Sequence, residues 1–128
     1  MSNPTSPTDL LDGYAFVDCL LLDFVLEPHL RDAAVVCEAY FKPRATGPRQ
    51  RGVLRVRLGG LRAMAMDVHP EFQQDIDRPY GPDTVKANEV ITLSLTRSGD
   101  GSRLTLRLAS DMLSAVVECE QCRVSEEL

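Results

Sequence analysis

Tryptophan is absent from this sequence, only seven of its 128 residues are aromatic, and histidine occurs just twice, at His29 and His69. Platforms that stack sugars or unpaired bases therefore have little to be built from. Long apolar runs are lacking too. The most apolar stretch, Tyr14 to Leu26, is broken by Asp18 and Asp23, so no membrane span is expected. The opening MSNPTSPTDLLD has neither the positive start nor the apolar block of an export signal. Four cysteines at irregular spacing are too few for a secreted disulfide scaffold, and they read as free thiols of a cytoplasmic protein. No amphipathic run of helical length separates any two apolar segments, which excludes alternating strand–helix architectures. Gly59-Gly60 and Gly99-Asp100-Gly101 fall between apolar alternations and not at strand-to-helix turns, so no phosphate-binding loop is expected.

What is present is the makeup of one soluble domain: 44% hydrophobic and 26% charged residues, with a formal net charge of −5. That charge opposes general attraction to nucleic acid or anionic lipid. It is unevenly spread. Seven basic residues and no acid lie between Lys42 and Arg62, whereas Asp9 to Glu38 holds seven acids and Arg31 alone of the opposite sign. Neighbouring strands of opposite charge, paired across a solvated face, are the simplest reading.

Residues 1–12, rich in Ser, Thr and Pro, read as an N-terminal arm, and 13–128 as a single antiparallel β domain. Apolar residues then alternate along Tyr14, Phe16, Leu20, Leu22, Phe24 and Leu26, and again along Val35, Cys37, Ala39 and Phe41, which predicts a first hairpin. Leu54, Val56 and Leu58 form the inward set of a third strand, and Met64, Met66 and Val68 that of a fourth. Ile91, Leu93 and Leu95, then Leu104, Leu106 and Leu108, then Leu113, Ala115, Val117 and Cys119 predict a three-stranded meander. Matching its faces with tight turns sets Leu93 opposite Leu106, Leu106 opposite Ala115, and Arg103 opposite Glu118. About seven strands with half-polar faces call for two layers: an antiparallel sandwich or flattened barrel, with one short helical turn near 71–75.

Three groups of residues bear on chemistry. Cys119 and Cys122 have C-x2-C spacing but continue a strand, and with Cys19 and Cys37 they make at most a four-thiolate set without a second close pair. Buried bystander thiols are expected, with neither metal nor cofactor. Asp67, His69, Glu71, Asp75 and Asp77 crowd into one irregular segment without matching a cation loop or a zinc motif. Nor is there a nucleophile, base and orienting group at recognisable spacing, so no catalysis is expected.

By elimination the sequence reads as a non-catalytic, cytoplasmic protein-binding module. The closest class analogy is an inhibitory or immunity-type protein that masks a partner, such as the small bacterial accessory proteins that neutralise toxins. An adaptor or assembly subunit is the alternative within that class, and a metal-dependent hydrolase using the acidic 67–77 loop is the rival from outside it. Glu71, Phe72, Asp75, Ile76, Asp77 and Tyr80 mix apolar anchors with carboxylates and are the expected contact residues for a basic partner protein. Arg55, Arg57, Arg103 and Arg107 would suit an acidic one.

Overall fold

The computed structural model describes residues 8–27, 29, 31–42, 49–68 and 88–128. They form nine strands: β1 (Thr8–Asp9), β2 (Leu21–Glu27), β3 (Asp32–Tyr40), β4 (Arg51–Gly59), β5 (Ala63–Val68), β6 (Val90–Arg97), β7 (Leu104–Ser110), β8 (Leu113–Cys119) and β9 (Gln121–Glu127). Two antiparallel sheets result, one ordered β1-β6-β7-β8-β5 and the other β2-β3-β4-β9. They pack face to face as a sandwich and do not close into a barrel. Among the described residues no helix is long and apolar enough to cross a membrane. The helical turn expected near 71–75 lies outside the described residues.

Period-two alternation is what makes this sandwich. Ala33, Val35, Cys37, Ala39, Leu54, Val56 and Leu58 line the inner face of the second sheet; Leu93, Leu95, Leu104, Leu106, Leu108, Val117 and Cys119 line that of the first. All are buried. The intervening residues, such as Arg55, Arg57, Ser94 and Arg107, face outward.

The two sheets are continuous at one corner. β4 and β9 pair with Gly59 opposite Gln121, and β5 and β8 resume the pairing with Ala63 opposite Glu118. Between them Gly60, Leu61 and Arg62 on one strand face only Cys119 and Glu120 on the other, so the ladder carries an extra residue and bends from one sheet into the other. Gly60 sits at φ +65°, with Glu120 side-chain atoms 3.1 to 3.3 Å from where its Cβ would stand. Only glycine suits such a position. An Arg62–Glu120 ion pair at 2.9 Å ties the bend.

Several sequence expectations need correction. The described residues form nine strands where alternation predicts about seven, the additional ones being the two-residue β1 and the apolar-poor β9. Asp9 explains why a Ser/Thr/Pro-rich stretch enters the fold as early as Thr8: its Oδ1 accepts hydrogen bonds from the backbone N–H groups of Leu11 (2.9 Å) and Leu95 (3.2 Å), and Leu11 is buried in the core. Tyr14 and Phe16 precede the first long strand and pack against the core from an irregular segment. The register shifts between Leu21 and Asp23, leaving Leu22 exposed. A second shift between Val90 and Thr92 turns Val90 inward and exposes Ile91.

From Thr92 onward the meander keeps its predicted faces but slips by two residues in both registers. Leu93 pairs with Leu108 and Leu106 with Val117. A slip of two preserves every side chain's face, so alternation alone could not detect it. The loop chemistry decides it. Asp100 Oδ1 accepts from the Ser98 hydroxyl, the Ser102 hydroxyl and the Ser102 N–H, and Ser98 N–H donates to the Arg103 carbonyl. Those bonds close a longer loop than a tight turn would. At the next turn the Ser110 hydroxyl donates to the Leu113 carbonyl and accepts from the Leu113 N–H, the β7-β8 ladder begins at Ala109 opposite Ser114, and Glu118 lies opposite Thr105, where Arg103 reaches it diagonally at 3.9 Å.

Candidate functional site

The expected contact residues Glu71, Phe72, Asp75, Ile76, Asp77 and Tyr80 lie outside the described residues, as does His69. Asp67 is described: it is exposed on β5, opposite Ser114. The four arginines grouped for an acidic partner do not share a surface. Arg55 and Arg57 project from the outer face of the β2-β3-β4-β9 sheet, whereas Arg103 and Arg107 belong to the outer face of the other sheet.

The four thiols are Cys19, Cys37 and Cys119, which are buried, and Cys122, which is half-buried. Among the described residues no three His, Cys, Asp or Glu side chains come together to hold an ion, and all four cysteines are free. Burial pushes the Cys37 thiol up to about 12 and the Cys119 thiol up to about 11. Between the ordinary value of 9.0 and these raised values, the folded state keeps protons that the unfolded chain has released. Stability therefore falls as pH rises through that window. At pH 8, alkylation of the native protein should reach half-buried Cys122 first and modify Cys37 and Cys119 only on unfolding, as read by peptide mass mapping. Labelling of all three at equal rates would contradict this.

The charge segregation seen in the sequence becomes a geometric pattern on the outer face of the β2-β3-β4-β9 sheet. Register aligns Val25, Ala34, Arg57 and Arg123 in one row across the four strands. Asp23, Val36, Arg55 and Ser125 form the next row on one side. On the other side Glu27 pairs with Asp32, whose Oδ1 hangs 3.5 Å from where a side chain on Gly59 would begin, and Gly59 pairs with Gln121. The β2-β3 half is thus acidic and the β4-β9 half basic. A groove of about 470 Å³ runs between them, lined by Val25, Ala34 and Val36, by the carboxylates of Asp23, Glu27 and Asp32, and by Arg55 and Arg57.

Intramolecular pairing neutralises only the margins of this face. Glu38 pairs with Arg51 at 3.1 Å and Glu127 with Arg55 at 3.8 Å. Among the described residues Asp23, Glu27, Asp32, Arg57 and Arg123 have no ion-pair partner. Arg57 and Arg123 stand directly opposite each other, an arrangement of like charges that costs energy unless an anion lies over it. The expected pairing of neighbouring strands is therefore met at one end of the face and not at its centre.

Sequence reasoning found the two blocks of charge but missed Arg123, because β9 was not recognised as a strand. It also missed Asp23, Glu27 and Asp32 as groove residues. Their signal lay in strand parity. Beside the basic run Phe41 is buried, and Tyr40 is covered by Arg51, whose guanidinium carbon is 5.5 Å from the ring centroid.

A second feature is the edge strand β5. Met64, Met66 and Val68 face the same way as buried Ala115 and Val117, yet they stay 38%, 41% and 50% exposed. The narrower opposite sheet does not reach over them. Comparison with family models, with curated proteins and with solved structures found no match to this chain.

Proposed function

We propose that this chain is a non-catalytic protein-binding module of the inhibitory or immunity type, acting in the cytoplasm by covering a partner protein. The observation that carries the reading is the divided outer face of the β2-β3-β4-β9 sheet, where three carboxylates and Arg57 line an apolar-floored groove, with Arg123 beside Arg57, and none of the five has an ion-pair partner among the described residues. These charges are held on a rigid sheet and left unneutralised. They add on-rate and selectivity when a complementary protein arrives. Small apolar residues at the centre, Ala34 and Val36, allow the close approach that a binding surface needs.

Affinity capture at low salt tests this. The wild type should retain a stoichiometric protein that Arg57→Glu with Arg123→Glu releases, while Arg107→Glu on the opposite sheet leaves it bound. Retention by the double variant as strong as by the wild type would refute the role of this face.

A further inference from the structure

The charge-divided face carries its own complement. Consider a two-fold axis parallel to the strands, running between β3 and β4 in the plane where two such faces meet. It keeps position along the strands and exchanges the two halves, so β3 comes over β4 of the second copy and β2 over β9. Row then meets row. The row Val25, Ala34, Arg57, Arg123 lies over itself reversed, which sets Arg57 of each copy above Ala34 of the other and Arg123 above Val25.

Those two apolar positions are the ones flanked by carboxylates. Val25 has Asp23 and Glu27 two residues away on either side of the same strand face, and Ala34 has Asp32 two residues along. The groove above Ala34 is bounded by those same three acids. An arginine entering it thus exchanges a repulsive neighbour for carboxylates of opposite sign. The alternative axis, in the same plane but perpendicular to the strands, would place acid over acid. Charge complementarity therefore selects both the occupant and the orientation.

Resting on the reading of this face as a protein-binding surface, we infer that a second copy of the chain occupies it, forming a two-fold dimer in which Arg57 of each copy enters the other's groove. Aligned sheets pack about 10 Å apart, a distance that long arginine side chains span. A four-stranded face is small and its contacts are mainly ionic, so the association is weak and sensitive to salt.

Sedimentation equilibrium with designed charge variants tests the pairing. The wild type should self-associate at low ionic strength and weaken at least tenfold in 0.5 M salt. One variant, Arg57→Glu with Arg123→Glu, turns the centre of the basic half acidic; another, Asp23→Lys with Glu27→Lys, turns the β2 edge of the acidic half basic. Each should be monomeric alone, and an equimolar mixture should form a heterodimer. All four positions are exposed, and an unchanged circular dichroism spectrum confirms folding of each variant. A wild type that stays monomeric at low salt, variants that still self-associate, or a mixture that does not associate would each overturn the dimer. If the wild type is monomeric while Arg57→Glu with Arg123→Glu still releases a captured protein, the face serves a different partner and the binding role survives without the dimer. If neither association nor capture depends on these residues, both readings fall.

Discussion

Replacing Leu106 by alanine should lower the free energy of unfolding by about 3 kcal/mol, within the usual range for a buried leucine. Leu106 is fully buried on β7, a strand with hydrogen-bonded neighbours on both sides. Leu95 stands opposite it on β6 and Val117 on β8, and both are fully buried as well. Ladders on either side hold the backbone in place, so the surroundings cannot collapse into the space left behind, and the cavity cost adds to the lost transfer energy. Domains of this size are typically stable by about 5–15 kcal/mol, which makes the loss a large share. Urea unfolding with an unchanged slope measures it. Leu22→Ala is the contrast: that side chain is half exposed at the β2 bulge, and its loss should cost less than about 0.5 kcal/mol. Equal effects at the two sites would contradict the packing described here.

Gly52→Ala should destabilise by about 2 kcal/mol, although the Gly52 backbone is one that any residue can adopt. Sequence alone suggests the opposite. Glycine weakens a strand, and alanine normally stabilises by restricting the unfolded chain, by roughly 0.4–1 kcal/mol. At Gly52, however, a methyl group would overlap the Glu127 carbonyl oxygen and approach the Phe41 ring to 2.7 Å. Phe41 is buried against the end of the sheet, and Glu127 is held by pairing with Val53. Neither can give way without breaking contacts. Gly59, in the same strand, is the control: its nearest neighbour would be Asp32 Oδ1 at 3.5 Å, ordinary contact. Gly59→Ala should be neutral or stabilising, and thermal unfolding of both variants separates crowding from strand propensity.

These contrasts show what one sequence carries. Alternation of Val35, Cys37, Ala39, of Leu54, Val56, Leu58 and of Leu104, Leu106, Leu108 determined the strands, their inward faces and the need for a second layer, because side-chain direction in a strand depends only on parity. The same logic placed Arg55 and Arg57 in solvent. Burial depends on what lies across the sandwich, and that information is not local: Met64, Met66 and Val68 have the inward parity of Leu54, Val56 and Leu58 but sit on an edge that the other sheet leaves uncovered.

Register and strand order were likewise decided only in three dimensions. A slip of two residues leaves the alternation pattern of the meander untouched, and the hydrogen bonds that choose its registers, those of Asp100 between β6 and β7 and of Ser110 between β7 and β8, can be assigned only once the loops are closed. The strand β9, QCRVSEE, has too few apolar residues to declare itself; it is a strand because the bend at Gly60 and Glu120 delivers it to the free edge of β4. That placement sets Arg123 beside Arg57. Composition could separate acids from bases along the chain, but a divided face with a groove between its halves required β2, β3, β4 and β9 to lie side by side. Their order is set by the folding of the whole ladder and not by any one segment.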